Sequence, residues 1–158
     1  MALVVASCGR PSSVEGPPTA AAEQGLAKVD MCTLLTPEEL ESFGFRAPGE
    51  PETGSSGEPA CAFSGRPFGA TFFKNQEMTV EKYSQQDTWA KFDRLEVDGR
   101  PAANTITKGS TQARLCSTMF DAGGGVITLT VQEFRDEGAN VCAESVKVAE
   151  VIAPKLPR

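Results

Sequence analysis

Histidine is absent from the 158-residue chain. That removes the commonest general base at neutral pH and the commonest zinc ligand. No two cysteines stand in a Cys-x-x-Cys pair, and the spacings of 29, 55 and 26 between Cys32, Cys61, Cys116 and Cys142 do not suit a zinc ribbon. No Gly-x-Ser-x-Gly elbow is present. The run Gly123-Gly124-Gly125 is not followed by Lys-Ser or Lys-Thr, so it is read as a hairpin loop and not a phosphate loop. The acidic loop 46–59 fits no EF-hand spacing. No apolar run approaches the ~20 residues of a bilayer-spanning helix. Positive charge is scarce as well: 15 basic residues face 21 acidic ones, for a net −6. Nucleic acid, whose phosphates are met by clustered Lys and Arg, is therefore not an expected partner. No metal and no cofactor is expected. The one enzyme reading left open is an envelope hydrolase with a pair of carboxylates ~5–10 Å apart. With 21 acidic residues a chance pair says little, and no catalytic residue is assigned.

What is present begins at the N-terminus. The stretch Val5-Ala6-Ser7-Cys8-Gly9 follows a short apolar run, Ala2 to Ala6. It resembles the lipobox of bacterial lipoproteins. That resemblance implies that the Cys8 thiol is acylated and the peptide before it removed. The apolar run is short against the roughly 7–15 residues of a secretion signal, and no Lys or Arg precedes it. Residues 1–8 are therefore read as the end of a signal that starts upstream of Met1. A diacylglyceryl group would supply the two acyl chains that stable anchoring needs. Residues 9–28, rich in Gly, Pro, Ser and Ala, read as a disordered linker spanning ~25 Å r.m.s.. The expected address is the extracytoplasmic face of the cell membrane, held by palmitate-type acylation on Cys8.

With Cys8 lipidated, four cysteines remain, and an even number in an exported chain predicts two disulfides. The domain is expected over 29–158. Thr36, Pro37 and Glu39 spell a capping box that opens a helix over about 37–43, with Leu35 and Leu40 as its hydrophobic staple. Loop 46–59 follows. Strands are predicted at 60–63, 70–73, 92–97, 102–107, 113–120 and 126–134, with a helix over 80–88 behind Thr79. Asp98-Gly99 is a hairpin signal. Cys142, Val146 and Ala149 recur at helical spacing in a last helix from 140 or 141 to about 153. The final hairpin brings the start of that helix back beside the first of its two strands. This favours Cys116–Cys142 and leaves Cys32–Cys61. The predicted fold class is α+β: an antiparallel sheet of five or six strands packed against two or three helices.

Asp30-Met31-Cys32-Thr33-Leu34-Leu35-Thr36, Cys61-Ala62-Phe63, Val97-Asp98-Gly99-Arg100-Pro101-Ala102, Cys116, and Cys142 opening the last helix together resemble a family of small actinobacterial lipoproteins, domain of unknown function 3558. The resemblance covers about 29–156. It implies an exported, lipid-anchored, disulfide-bonded domain on a cell surface, and it supplies no activity.

Two functional readings follow. The first is a binding or interaction module of the cell envelope, with Trp89, Tyr83, Phe68 and Arg66 as exposed candidates for an envelope protein partner. The second is a carrier of a lipid or other small apolar ligand. Phe63, Phe72, Phe73, Phe120 and Phe134 would line its pocket unless they fill the core.

Overall fold

The structure, a computed structural model, describes residues 25–158. Cys8 and residues 9–24 of the expected linker lie outside them. The remaining linker residues do not behave as linker. Leu26 is 1% exposed and belongs to the main core, and its N–H donates to the Gly123 carbonyl at 3.3 Å. The fold thus includes Gly25 and does not wait for Val29. One leucine among alanine, glycine and lysine produces no periodic signal, so the sequence pattern misses it.

Seven strands form one antiparallel sheet: β1 (Glu50–Thr53), β2 (Pro59–Phe63), β3 (Phe68–Asn75), β4 (Trp89–Val97), β5 (Arg100–Thr107), β6 (Leu115–Ala122) and β7 (Gly125–Glu133). Their order is β1-β2-β3-β7-β6-β5-β4. The expectation of five or six strands falls short by β1, which lies inside the segment read as a loop. All four β1 residues are exposed, so the strand carries no apolar alternation. It pairs only with β2, which makes it an edge strand, where Pro51 is tolerated. The Asp98-Gly99 turn joins β4 to β5 with both residues at positive φ, 51° and 68°, as a type I′ turn requires.

Three α-helices complete the fold among the described residues: α1 (Pro37–Ser42), α2 (Val80–Ser84) and α3 (Val141–Ile152). The capping box of α1 is formed. The Glu39 N–H donates to Thr36 Oγ1 at 3.2 Å, and the Thr36 N–H donates to Glu39 Oε2 at 2.8 Å. α2 ends four residues short of its expected end, and β4 starts at Trp89, three residues before the predicted strand. α3 is capped by Asn140, whose Oδ1 accepts from the Ala143 N–H at 3.1 Å. The helix lies across β6 and β7.

Helices occupy both sides of the sheet. Ile127, Leu129, Val131, Phe120, Phe72 and Phe63 turn toward α3 and the 26–45 segment, and together they build the large core. Val126, Met119 and Ala103 alternate to the other side, where Val80 of α2 meets them in a small second cluster. Both disulfides pair as predicted. Cys32–Cys61 ties the 31–33 turn to β2 with Cα atoms 5.3 Å apart. Cys116–Cys142 ties β6 to the first turn of α3, at 5.0 Å.

The chain's last residues are locked by Arg100, which is 5% exposed. Its guanidinium donates to the carbonyls of Ala153 and Leu156 at 2.9 Å each and of Pro157 at 2.6 Å. A planar fork of five donors suits three converging carbonyls better than any ammonium. Burial pulls the Arg100 pKa down from its ordinary value, and the nearby Arg158 cation acts in the same direction.

Candidate binding surface

β7 shows how the sheet divides. Its sequence Ile127-Thr128-Leu129-Thr130-Val131 alternates strictly, and alternate side chains point to opposite faces. Ile127, Leu129 and Val131 are fully buried under α3, whereas Thr128 and Thr130 are half-buried on the side that α2 only partly covers. Strand register then lines up a row across that open side. Thr71 of β3 pairs with Thr130 of β7, Thr130 with Ser117 of β6, and Ser117 with Thr105 of β5. Four hydroxyl-bearing residues thus sit side by side over about 14 Å, taking the usual spacing between strands. Ser117 Oγ and Thr130 Oγ1 are 2.7 Å apart and share a hydrogen bond. Thr105 closes the row at 1% exposure, and its hydroxyl finds no partner.

The row itself carries no charge: Glu50 and Glu52 stand on β1, Arg94 and Glu96 on β4, and Asp121 of β6 lies four residues beyond Ser117, where its Oδ1 accepts the Val80 N–H at 2.8 Å. Aromatic rings flank the row. Phe73 is half-buried beside Thr128. Phe134 follows β7 and is 55% exposed. A Cβ added at Gly69 would stand 2.6 Å from Phe134 Cε2, so only glycine lets that ring lie against β3. A shallow groove of about 230 Å³ runs here, with Glu50, Thr71, Thr130, Gln132 and Phe134 among its walls.

The four exposed candidates are not brought together. Tyr83 and Trp89 meet edge-on with ring centroids 6.0 Å apart, and the Trp89 indole N–H donates to the Tyr83 carbonyl at 2.7 Å. Both are half-buried against the second cluster and form the β4-side border of the open face. Burial raises the Tyr83 hydroxyl pKa. Phe68 faces the opposite way, pairs with Glu133 and packs on the main core, so it is no surface contact. Arg66 is exposed at the far end of β3, beside Phe134 in a cleft of about 500 Å³ with Pro67 and Arg135. Of the five phenylalanines considered for a carrier pocket, Phe63, Phe72 and Phe120 are at most 2% exposed inside the core. Phe73 and Phe134 belong to the open face. Phe134 was readable only as the end of a strand. Counting the alternation on from Val126 through Gln132 places it on the outer face, which is the signal that finds it.

A second cleft, of about 490 Å³, lies at the end of the sheet near the β4–β5 and β6–β7 turns. Its cations are occupied. Lys82 Nζ donates to the Glu77 carbonyl at 2.9 Å, Arg158 pairs with Asp98 at 2.9 Å, and Arg100 holds the chain terminus. Among the described residues Glu133 is the one buried carboxylate. Its Oε1 accepts the Glu137 N–H at 3.0 Å and its Oε2 lies 3.8 Å from Arg114 Nε, so it braces the loop ahead of α3. No group of three or more Cys, Asp or Glu among the described residues is placed to hold a metal. No helix among them is long and apolar enough to cross a membrane.

Fold and surface together define a class: a disulfide-stapled α+β domain on an antiparallel sheet, with one face buried and the other covered only in part by α2. The chain belongs to the family described as protein of unknown function DUF3558, whose sequence model matches residues 3–155. No curated protein and no solved structure matches the chain.

Proposed function

We propose that the protein is a lipid-anchored, extracytoplasmic binding module of the cell envelope that meets its partner with the open sheet face. The observation that carries this reading is the contrast between the two faces. Beyond α2 the open side holds hydroxyls and the exposed Phe134 where a buried face would hold aliphatic side chains. An exposed large aromatic on an otherwise polar surface is a recurrent mark of interaction sites. Export is supported by the lipobox-like stretch around Cys8 and by two disulfides, which persist in oxidising compartments. The carrier reading loses the three phenylalanines that fill the core. Cell fractionation followed by intact-mass measurement tests the anchor. The membrane-bound protein should carry a diacylglyceryl group on Cys8 and be four hydrogens lighter than the reduced chain, two for each disulfide. An unmodified Cys8 in membrane-extracted protein would overturn the anchored reading.

A further inference from the structure

We infer that the open face binds a neutral oligosaccharide strand laid along the hydroxyl row. This rests on the reading of that face as the binding surface and names the ligand's chemistry. The floor is the first argument. Thr71 offers one O–H donor and two acceptor lone pairs, and the Ser117–Thr130 pair, which shares one hydrogen bond, offers one further O–H donor and three lone pairs. A polyhydroxylated ligand answers such a surface group for group. An apolar ligand would strip water from the Thr71 hydroxyl and from the O–H that the Ser117–Thr130 bond leaves free, and an unpaired donor of this kind costs about 1–3 kcal/mol. An anionic ligand would find no counter-charge in the groove, whose one charged wall is Glu50.

The flanks are the second argument. Phe134 lies over Gly69, and Phe73 stands four residues further along β3, about 13 Å away at the usual strand rise. Thr71 is between them. The negative faces of the two rings suit the C–H faces of sugar rings, which carry the opposite partial charge. Size is the third argument. The groove between Phe134 and Thr130 holds about 230 Å³. Enclosed pockets for drug-sized ligands hold roughly 300–1,000 Å³. A shallow groove that continues into a row across neighbouring strands suits a chain of small units better than one compact molecule.

The test is a titration of the isotope-labelled full chain with cellotetraose, maltotetraose and mannotetraose, followed by amide NMR shifts. Tetragalacturonate serves as the charged control. At least one neutral probe should move the amides of Thr71, Thr130 and Ser117. Phe134→Ala should weaken that binding about tenfold, and Thr130→Arg should abolish it, while amides of the α3 side keep their positions in both variants. The inference is overturned if no neutral probe moves these amides at millimolar concentration, or if the charged probe binds there better. It is equally overturned if the same shifts arise on raising protein concentration without sugar, which would make the face a contact between two copies. Retention of wild-type and Thr130→Arg protein on isolated envelopes separates the two levels of the argument. Retention that depends on Thr130 without sugar binding keeps the face and discards the glycan. Retention indifferent to Thr130 discards both.

Discussion

Phe72 and Phe73 are neighbours in β3 with opposite surroundings. Phe72 is fully buried beneath the helical layer, with its ring centroid 4.9 Å from that of Phe63. Phe73 is half-buried beside Thr128, on the side that α2 covers only in part. The same period-2 backbone serves both, so the difference lies entirely in what each face is given to cover it. Threonine explains how the open face stays folded while facing water. It is β-branched and suits a strand, yet its hydroxyl needs no burial. The sheet thus keeps its conformation on both sides while placing the larger apolar core on one and only the small α2 cluster on the other.

The sharpest way to break this contrast is to truncate each phenylalanine in turn. Phe72→Ala should cost about 3–5 kcal/mol in urea unfolding, because a filled core site is emptied. Phe73→Ala should cost under about 1.5 kcal/mol. Equal losses would show that the open face is as much a core as the other. The disulfides come next in size. Replacing Cys116 and Cys142 together by alanine should cost about 3.5 kcal/mol, as a 26-residue separation implies in the loop-entropy account, read from the denaturation midpoint at constant slope.

Thr105→Val reverses the sign. The variant removes an unpaired buried hydroxyl from a site of matching shape, so it should be neutral or stabilising by up to about 1 kcal/mol in the same assay. Destabilisation beyond that would show that the hydroxyl has a partner. The smallest effect belongs to the seam between α1 and the chain's end, where Lys155 pairs with Glu39. Lys155 and the Thr36 N–H hold the Glu39 carboxyl below its ordinary value. A depressed carboxyl pKa contributes stability above the unfolded-state value of about 4.5, and that contribution disappears as pH falls through the lower folded value. Lys155→Met should therefore lower thermal stability slightly at neutral pH and leave it unchanged below the folded Glu39 value, so that the acid limb of the curve flattens. An unaltered acid limb would remove the pair from the stability account.

Where local chemistry specifies an element, the sequence reveals it. The α1 capping box, the Asp98-Gly99 turn, both cysteine pairs and six strands carry apolar alternation or turn residues of their own. β1 was not legible, because its Glu-Pro-Glu-Thr run forms a strand only by borrowing the exposed edge of β2. Leu26 was not legible either, since its burial depends on the distant Gly123 turn. The hydroxyl row lies between these cases. The threonines of β7 can be read in the chain, but their alignment with Ser117 and Thr71 exists only once register is set.

The Cys32–Cys61 bridge has a mechanical consequence. A pull on the N-terminal side of the fold first meets Leu26 at the Gly123 turn. If that contact yields, only residues 25–31 are free to pay out, roughly 25 Å of extended chain, before tension reaches Cys32. From there the covalent bond passes the load straight to Cys61 in β2. The 28 residues between the two cysteines, α1 and β1 among them, are bypassed and carry none of it. The strand that receives the force is hydrogen-bonded to neighbours on both sides, so the domain resists unravelling from its N-terminal side by shearing a sheet and not by peeling a helix.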